Sequence, residues 1–167
     1  MLSARLISGT ESKVFPLYDQ DGIEVRPSLI SDSFELKQED CNEVWWSHRF
    51  YPEDAIYISI KSAFKSFTVL IDGRPEIIFG INPISLVGND AIIWMLSSER
   101  INDIGRRFAK HTRRYINYFL SLYSNLYNFV IVENHTSIKW LKINGAKFEK
   151  PIPYGISGKP FMRFSFS

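Results

Sequence analysis

The sequence predicts one mixed α/β domain, with a sheet that is mostly antiparallel in its N-terminal half and has helices on both faces. Two observations carry this prediction. Apolar runs follow one another across residues 67–96 with turn signals between them, which is typical of antiparallel pairing. Further along, two apolar runs are separated by a long helical pattern, which is typical of a strand–helix–strand crossover. A chain of 167 residues is long enough for one domain with a sizeable core.

The pattern of the first 66 residues predicts short helices and strands. Residues 22–27 alternate in polarity and stop at a proline, so they predict a strand. Cap-type residues from Ser31 predict a helix to about Glu39, with a second segment beginning near Asn42. Pro52 is suited to the first position of another helix. Residues 1–20 fit either an N-terminal arm or an extra strand.

The remaining residues predict longer elements. Gly145 is placed where a helix commonly ends, and two short strands are expected after it. The predicted strands span 67–72, 76–81, 91–96 and 126–132, and the predicted helices span 103–121 and 134–144. Because residues 91–96 are apolar throughout, we expect both faces of that strand to be covered. Residues 126–132 are also apolar throughout.

Bulk composition excludes several classes of protein. A hydrophobic fraction of 45% with 15% aromatic residues indicates a globular chain rather than a disordered one. With 20 basic and 18 acidic residues the net charge is +2, so any nucleic-acid contact must be local. Cys41 is the single cysteine, so no disulfide within the chain is possible and a reducing compartment is expected. His48 and His111 lack companions at metal-ligand spacing, which predicts no metal.

Targeting signals are also not apparent in the sequence. The first 14 residues, MLSARLISGTESKV, hold no long apolar run, so we expect no secretory signal. No window reaches the length of a membrane-spanning helix.

The stretch at 130–148, VIVENHTSIKWLKINGAKF, places Asn134 at the end of a strand and Ser137 three residues later. Leu141 follows at seven residues and Gly145 at eleven. This spacing and the element order are similar to the GNAT acetyltransferases. The resemblance implies a GNAT-like acyl-CoA N-acyltransferase fold across 1–167. It also implies acetyl-CoA between the strands at 91–96 and 126–132, with Asn134 near the pantetheine arm. The alternative is that Asn134 only caps a packed helix.

A second resemblance covers residues 106–148, and more loosely the last 75 or so residues. The stretch is similar to the internal virion protein A family of tailed podoviruses in three features. These are a basic start to the long helix, an aromatic-rich Leu-Tyr-Asn sequence where the next strand begins, and Gly-Ala where the following helix ends. This resemblance implies a phage protein associated with the virion or located in the host cytoplasm. Its implied partners are other phage or virion proteins, DNA or a second copy of the chain.

The sequence departs from the GNAT pattern at two places. GNAT enzymes place Gln/Arg-x-x-Gly-x-Gly/Ala before the long helix, because glycines let backbone N–H groups approach the pyrophosphate. Here Arg100 and Gly105 match, but Asp103 replaces the first glycine, and Asn102 or Asp103 is predicted to cap the helix. Leu141 stands where the GNAT pattern has the tyrosine that acts as general acid, and leucine cannot donate a proton.

The catalytic residues therefore stay unassigned at this point. The cofactor-binding residues that the resemblance implies are Leu96, Arg100, Gly105, Arg106, Asn134 and Ser137. Candidate acids are Tyr123, Tyr127 and Tyr154, and candidate bases are Glu24, Glu76 and His48.

Two further features predict partner contacts. Arg106, Lys110 and Arg113 share one face of the long helix, with Arg107 and Arg114 beside it. Cations near a helix start oppose the macrodipole, and a bound anion would offset that conflict. The anion would be a coenzyme A phosphate, a nucleic-acid phosphate or an acidic partner; a solvated face is the simpler alternative. The adjacent Trp45 and Trp46 suit an interface, although core packing of one of them is the alternative.

Three functions follow from these observations. The first is a virion-associated phage protein of GNAT fold, with a degenerate acetyl-CoA site, that acts through protein or DNA contacts. The second is an active acetyl-CoA-dependent N-acetyltransferase that modifies an amine. The third is a module that binds nucleic acid through the basic residues between Arg106 and Arg114. An active enzyme predicts an open cleft between the strands at 91–96 and 126–132, whereas a degenerate site predicts that side chains fill it.

Overall fold

The computed structural model describes residues 17–36, 48 and 51–167, with the backbone alone at 52–53, 103–107 and 110. Within these residues a single sheet is covered by helices on both faces. In chain order the elements are β1 (Tyr18–Gln20), β2 (Ile23–Pro27), α1 (Asp32–Glu35), α2 (Pro52–Ser62), β3 (Lys65–Ile71), β4 (Arg74–Pro83), β5 (Asp90–Ser97), α3 (Ile101–Leu122), β6 (Asn125–Ile131), α4 (His135–Ile143), β7 (Lys147–Phe148), β8 (Ile152–Tyr154) and β9 (Lys159–Phe166).

The strands lie in the order β1-β2-β3-β4-β5-β6-β9-β7, and β8 also pairs with β9. Strands β1 to β5 form an antiparallel meander. The long helix α3 then crosses over, so β6 runs parallel to β5. Strand β9 returns antiparallel to β6. The mixed α/β prediction, with its antiparallel N-terminal half and strand–helix–strand C-terminal half, is confirmed.

Alternation along β4 divides the core into two layers. Ile77, Phe79 and Ile81 are buried in the larger layer, which lies against α3. Ile78 points to the opposite face and packs in a smaller cluster with Ile56 of α2. The aromatic residues of α3 that contact the Phe79 ring are Phe108, Tyr115 and Phe119. The sheet therefore has a thick aromatic layer on one side and a thin aliphatic layer on the other.

Two predicted helix starts or ends are wrong. Helix α1 is a single turn that ends at Glu35, because Leu36 adopts an extended conformation with ψ 107°. Helix α3 begins at Ile101, so Asn102 and Asp103 lie inside it and neither is its N-cap. The carbonyl of Ser98 accepts from the Ile101 N–H at 3.2 Å, which starts the helix earlier than predicted. The segment predicted near Asn42 lies outside the described residues, as does Cys41.

The end of α4 follows the prediction to within one residue. Gly145 has φ +88°, a conformation that glycine adopts without a steric penalty. Its N–H bonds the carbonyl of Lys142, and the Ala146 N–H bonds the carbonyl of Leu141. This pair of bonds is the Schellman motif that commonly ends a helix.

The strand count differs from the prediction at both ends of the described chain. Residues 18–20 form β1, which supports the extra-strand alternative for that part of 1–20, whereas residues 1–16 lie outside the description. Three strands rather than two follow α4. The additional one, β8, holds Pro153 at its centre, and proline within an apolar run weakens a strand signal. No helix among the described residues is long and apolar enough to cross a membrane.

Candidate functional site

The parallel strands β5 and β6 pair only at their first residues. Asp90 to Ile92 align with Asn125 to Tyr127, and beyond that point the two strands separate. Asn128 lies at the separation. Its side-chain Nδ2 donates to the carbonyl of Ile93 at 2.8 Å, and its Oδ1 accepts from the Phe129 N–H at 2.8 Å. The side-chain amide thus takes the place of a backbone hydrogen bond between β5 and β6 at the point where the strands separate.

The separation leaves one side of β5 without a strand partner. The Asn89 carbonyl accepts from the Asn125 N–H at 3.2 Å, and the Ile93 carbonyl accepts from Asn128, so odd-numbered residues direct their backbone groups toward β6. Even-numbered positions bond to β4 instead, as the Ser98 N–H does with the Glu76 carbonyl at 2.8 Å. In the described part of the chain, no strand pairs with this side of β5 beyond Ile92. Met95 and Ser97 therefore present peptide groups that an extended ligand can bond.

A cavity of about 340 Å³ occupies the gap between the two strands. We call it the cleft. Its wall is built from residues 93–96 of β5, residues 128–130 of β6, and side chains of α2, α4, β8 and β9. The prediction that both faces of the strand at 91–96 are covered is wrong. Ile92 is 37% exposed and residues 93–97 are only half-buried, because these apolar strands line an open cleft rather than a closed core.

Tyr154 and His48 are titratable side chains that line the cleft. The ring of Tyr154 stacks on Phe129 at 4.0 Å between centroids and contacts Phe161 at 5.3 Å. Burial raises the pKa of Tyr154, and the neighbouring Tyr127 raises it further. The His48 ring meets it edge-on at 6.4 Å. From the sequence, Tyr154 is only one of three candidate acids. No strand is predicted at residues 152–154, so nothing in the sequence places this side chain at the cleft.

The other candidate acids and bases lie elsewhere. Tyr123 packs against Phe64, and the Tyr127 ring lies 4.2 Å from the Arg163 guanidinium. Glu24 is exposed on β2. Glu76 is buried, accepts from Arg100 at 2.7 Å and also accepts from the Ser98 hydroxyl.

The structure brings only some of the predicted cofactor-binding residues together. Leu96 and Ser137 both line the cleft. Asn134 is the N-cap of α4, where its Oδ1 accepts from the Ser137 N–H at 3.0 Å. The capping alternative for Asn134 is therefore observed, and its contact with a cofactor stays a prediction. Arg100 bonds Glu76 through its guanidinium. Gly105 lies inside α3, and the side chain of Arg106 is outside the description.

The basic face of α3 is partly engaged with the chain itself. Arg113 donates to the carbonyl of Asn144, just past the end of α4, where a cation is electrostatically favourable. The Arg114 guanidinium lies 6.0 Å from the Tyr18 ring. The side chains of Arg107 and Lys110 are not described, and Trp45 and Trp46 lie outside the described residues. In the part of the chain that is described, no group of three or more His, Cys, Asp and Glu side chains could hold a metal.

Comparisons with known proteins relate this geometry to two kinds of protein. Residues 77–152, somewhat less than half of the chain, match the family model described as Bacteriophage T7, probable scaffold protein Gp13. No curated protein matches the chain in sequence.

Solved structures match over nearly the whole chain. Spermidine N-acetyltransferase from Vibrio cholerae in complex with CoA and spermine is 15% identical, covers 87% of this chain and 95% of its own, and has a TM-score of 0.64. An acetyltransferase of the GNAT family from Bacillus anthracis is 9% identical, covers 90% of this chain and 97% of its own, and has a TM-score of 0.65. The chain therefore has the fold of the GNAT acetyltransferases, and part of its sequence resembles a phage scaffold-protein family.

Proposed function

We propose that the protein binds the pantetheine arm of an acyl-CoA thioester in the cleft and transfers the acyl group to an amine. The observation that carries this proposal is the separation of β5 from β6, which leaves Met95 and Ser97 without a strand partner on that side, beside an open cavity of about 340 Å³ that Met95 lines. A degenerate site was expected to be filled by side chains. The V. cholerae structure with CoA and spermine has the same fold, which adds support without deciding the activity.

The cleft residues fit the arm of the cofactor better than its phosphates. The arm is extended and contains amides, so it can bond peptide groups on one side of a strand as an added strand would. Leu96 and Ser137 offer an apolar and a hydroxyl contact beside that strand. At the phosphate end, the first turn of α3 offers backbone N–H groups after Ile101, whose own N–H is bonded to the Ser98 carbonyl. Arg100 is already paired with Glu76, and Asp103 stands where a glycine would admit a phosphate.

The chemistry of the cleft suits direct transfer. A bound acyl-CoA would supply a thioester carbonyl that an amine can attack. Tyr154, which like any ordinary tyrosine is protonated at neutral pH, would donate a hydrogen bond to the leaving sulfur. His48 is exposed within the cleft and would accept the proton that the amine loses. In this proposal Tyr154 is the hydrogen-bond donor to the leaving group, a role that Leu141 cannot perform.

Calorimetric titration with acetyl-CoA tests the binding step, with free CoA as the comparison. We expect saturable binding in the micromolar range. We then expect Tyr154→Phe to keep that binding and to lower amine-dependent release of CoA thiol by on the order of tenfold to a hundredfold, since it removes only the hydroxyl. A panel of small amines and basic peptides supplies the acceptor. Tyr123→Phe is the matched control, because it removes the same hydroxyl from a tyrosine that packs against Phe64 and does not line the cleft.

The absence of heat at millimolar acetyl-CoA would contradict the proposal. Binding without thiol release from any acceptor would support a cofactor site that has lost its chemistry, which is the degenerate-site hypothesis. Equal losses in Tyr154→Phe and Tyr123→Phe would remove Tyr154 from the mechanism.

The match of residues 77–152 to a phage scaffold-protein family favours a second candidate function. In this candidate the protein acts during phage assembly through contacts with other phage proteins, DNA or a second copy of itself. Immunoblotting of gradient-purified particles and of immature particles from infected cells tests it. We expect the protein in at least one of the two fractions if it is virion-associated. Its absence from both, with the protein present in the lysate, would contradict this candidate.

A further inference from the structure

A second, smaller cavity of about 60 Å³ lies on the α3 side of the opening in the sheet. Its exposed wall is apolar throughout. Phe79, Phe108 and Ile116 contribute to it, and all three are nearly inaccessible to solvent. Thr112 also lines the cavity, but its hydroxyl is turned toward the Phe108 carbonyl of its own helix at 3.4 Å. The cavity therefore offers a ligand only apolar contacts.

This cavity adjoins the cleft through the gap between the strands. Both are lined by Ile93, Trp94, Met95, Trp140, Leu141 and Phe164. At Ile93 and beyond, β5 and β6 no longer pair, so no sheet backbone separates the α3 side from the cleft side. A group held on the unpaired side of β5 can therefore extend a short tail into the apolar cavity.

Empty apolar space is unusual in a close-packed interior, because it forfeits contacts and costs stability. A cavity that admits one water-sized group needs roughly 10–15 Å³ by the same measure, so 60 Å³ is several times that minimum and admits a short alkyl chain. An acetyl group has only one carbon beyond its carbonyl. Acetyl would leave most of this cavity empty.

We infer that the site selects an acyl chain longer than acetyl, with butyryl as the simplest example, and that the apolar cavity holds the tail of that chain. The inference rests on the proposed acyl-CoA site and specifies its substrate class. Each buried methylene contributes a factor of roughly four in affinity, so two additional methylenes should tighten binding about tenfold or more.

The experiment compares free CoA, acetyl-CoA and butyryl-CoA by calorimetry on the whole protein. We expect butyryl-CoA to bind about tenfold more tightly than acetyl-CoA. Ile116→Phe should remove this preference by filling the cavity, and it should leave the affinity for free CoA unchanged. Ile143→Phe is the matched control, since it makes the same substitution at a residue that is 72% exposed and outside both cavities. If Ile116→Phe does not fold, Thr112→Leu fills the same cavity from the preceding turn of α3.

The outcomes separate this inference from the proposal on which it rests. Equal affinities for acetyl-CoA and butyryl-CoA, or weaker binding of butyryl-CoA, would overturn the chain-length inference and leave the cofactor site intact. A butyryl preference that survives both cavity-filling variants would also overturn it, because the tail would then lie elsewhere. No binding of any of the three compounds would overturn the proposed cofactor site itself.

Discussion

Asp32→Ala is expected to lower the free energy of unfolding by about 3 kcal/mol, because it breaks a buried ion pair and leaves its polar partners unsatisfied. Asp32 is 1% exposed. It accepts two hydrogen bonds from the Arg26 guanidinium, at 2.9 and 2.8 Å, and one from the Thr68 hydroxyl at 2.6 Å. The Leu29 N–H donates to it at 2.8 Å. Urea unfolding followed by far-UV circular dichroism measures the loss.

The same carboxylate predicts a dependence of stability on pH. Burial raises the pKa of Asp32, but the hydrogen bonds from Arg26, Thr68 and the Leu29 amide outweigh burial, so the net pKa is lowered. The contribution of Asp32 is therefore present above its unfolded pKa of about 3.9 and is lost as the pH falls through its folded value. The difference in stability between the wild type and Asp32→Ala should be constant from about pH 5 to 7 and should shrink below about pH 4.

Glu35→Ala is the control for both measurements, since Glu35 is exposed on the same helical turn. Its effect should stay within about 0.5 kcal/mol. If Asp32→Ala costs no more than Glu35→Ala, the Arg26–Asp32 pair does not anchor α1 to the sheet. A difference that persists unchanged to pH 3 would show that the lost stability has another origin than the ionised carboxylate.

Gly80→Ala is expected to cost about 2 kcal/mol or more through overpacking. A Cβ at Gly80 would lie 2.5 Å from the backbone carbonyl of Lys65 and 2.7 Å from the ring of Trp94. The carbonyl belongs to β3, so it cannot move unless the β3–β4 pair separates locally. Trp94 is fixed by its Nε1 bond to Asn82 at 2.6 Å and lines the cleft. The substitution should therefore also weaken acetyl-CoA binding by deforming the cleft.

Gly88→Ala is the matched control, because a Cβ there would meet its nearest atom at an ordinary 3.5 Å. Urea unfolding of the two variants in parallel gives the comparison, and Gly88→Ala should stay within about 0.5 kcal/mol of the wild type. Similar small effects at both glycines would mean that β3 and Trp94 shift easily, and the cleft wall would then be less rigid than the structure indicates.

The candidate site shows where sequence patterns stop being informative. Residues 91–96 are as apolar as a covered strand, yet they line an open cleft. Hydrophobic periodicity reports how apolar a strand is, and it does not report whether the neighbouring strand continues beside it. Where β5 and β6 separate, the Asn128 amide bonds the carbonyl of Ile93, which is 35 residues away in sequence. An asparagine in an apolar run carries no local signal of such a contact.

Tyr154 illustrates the same limit for the chemistry. It lies in a short strand with Pro153 beside it, and only its pairing with β9 brings it over the cleft. Glu76 was grouped with the candidate bases on its residue type alone, and its burial against Arg100 and Ser98 removes it from the cleft. The assignment of acid and base candidates therefore required the sheet order.

The sequence by itself determined the mixed α/β fold, the antiparallel order of β3 to β5, the crossover through α3, and the stop of α4 at Gly145. These features depend on local periodicity, turn residues and helix caps, which act over a few residues along the chain. The tertiary structure alone decided the cleft, the apolar cavity beside it and the neighbours of Tyr154 and Asp32. Those features arise where segments distant in sequence meet, or fail to meet, across the sheet.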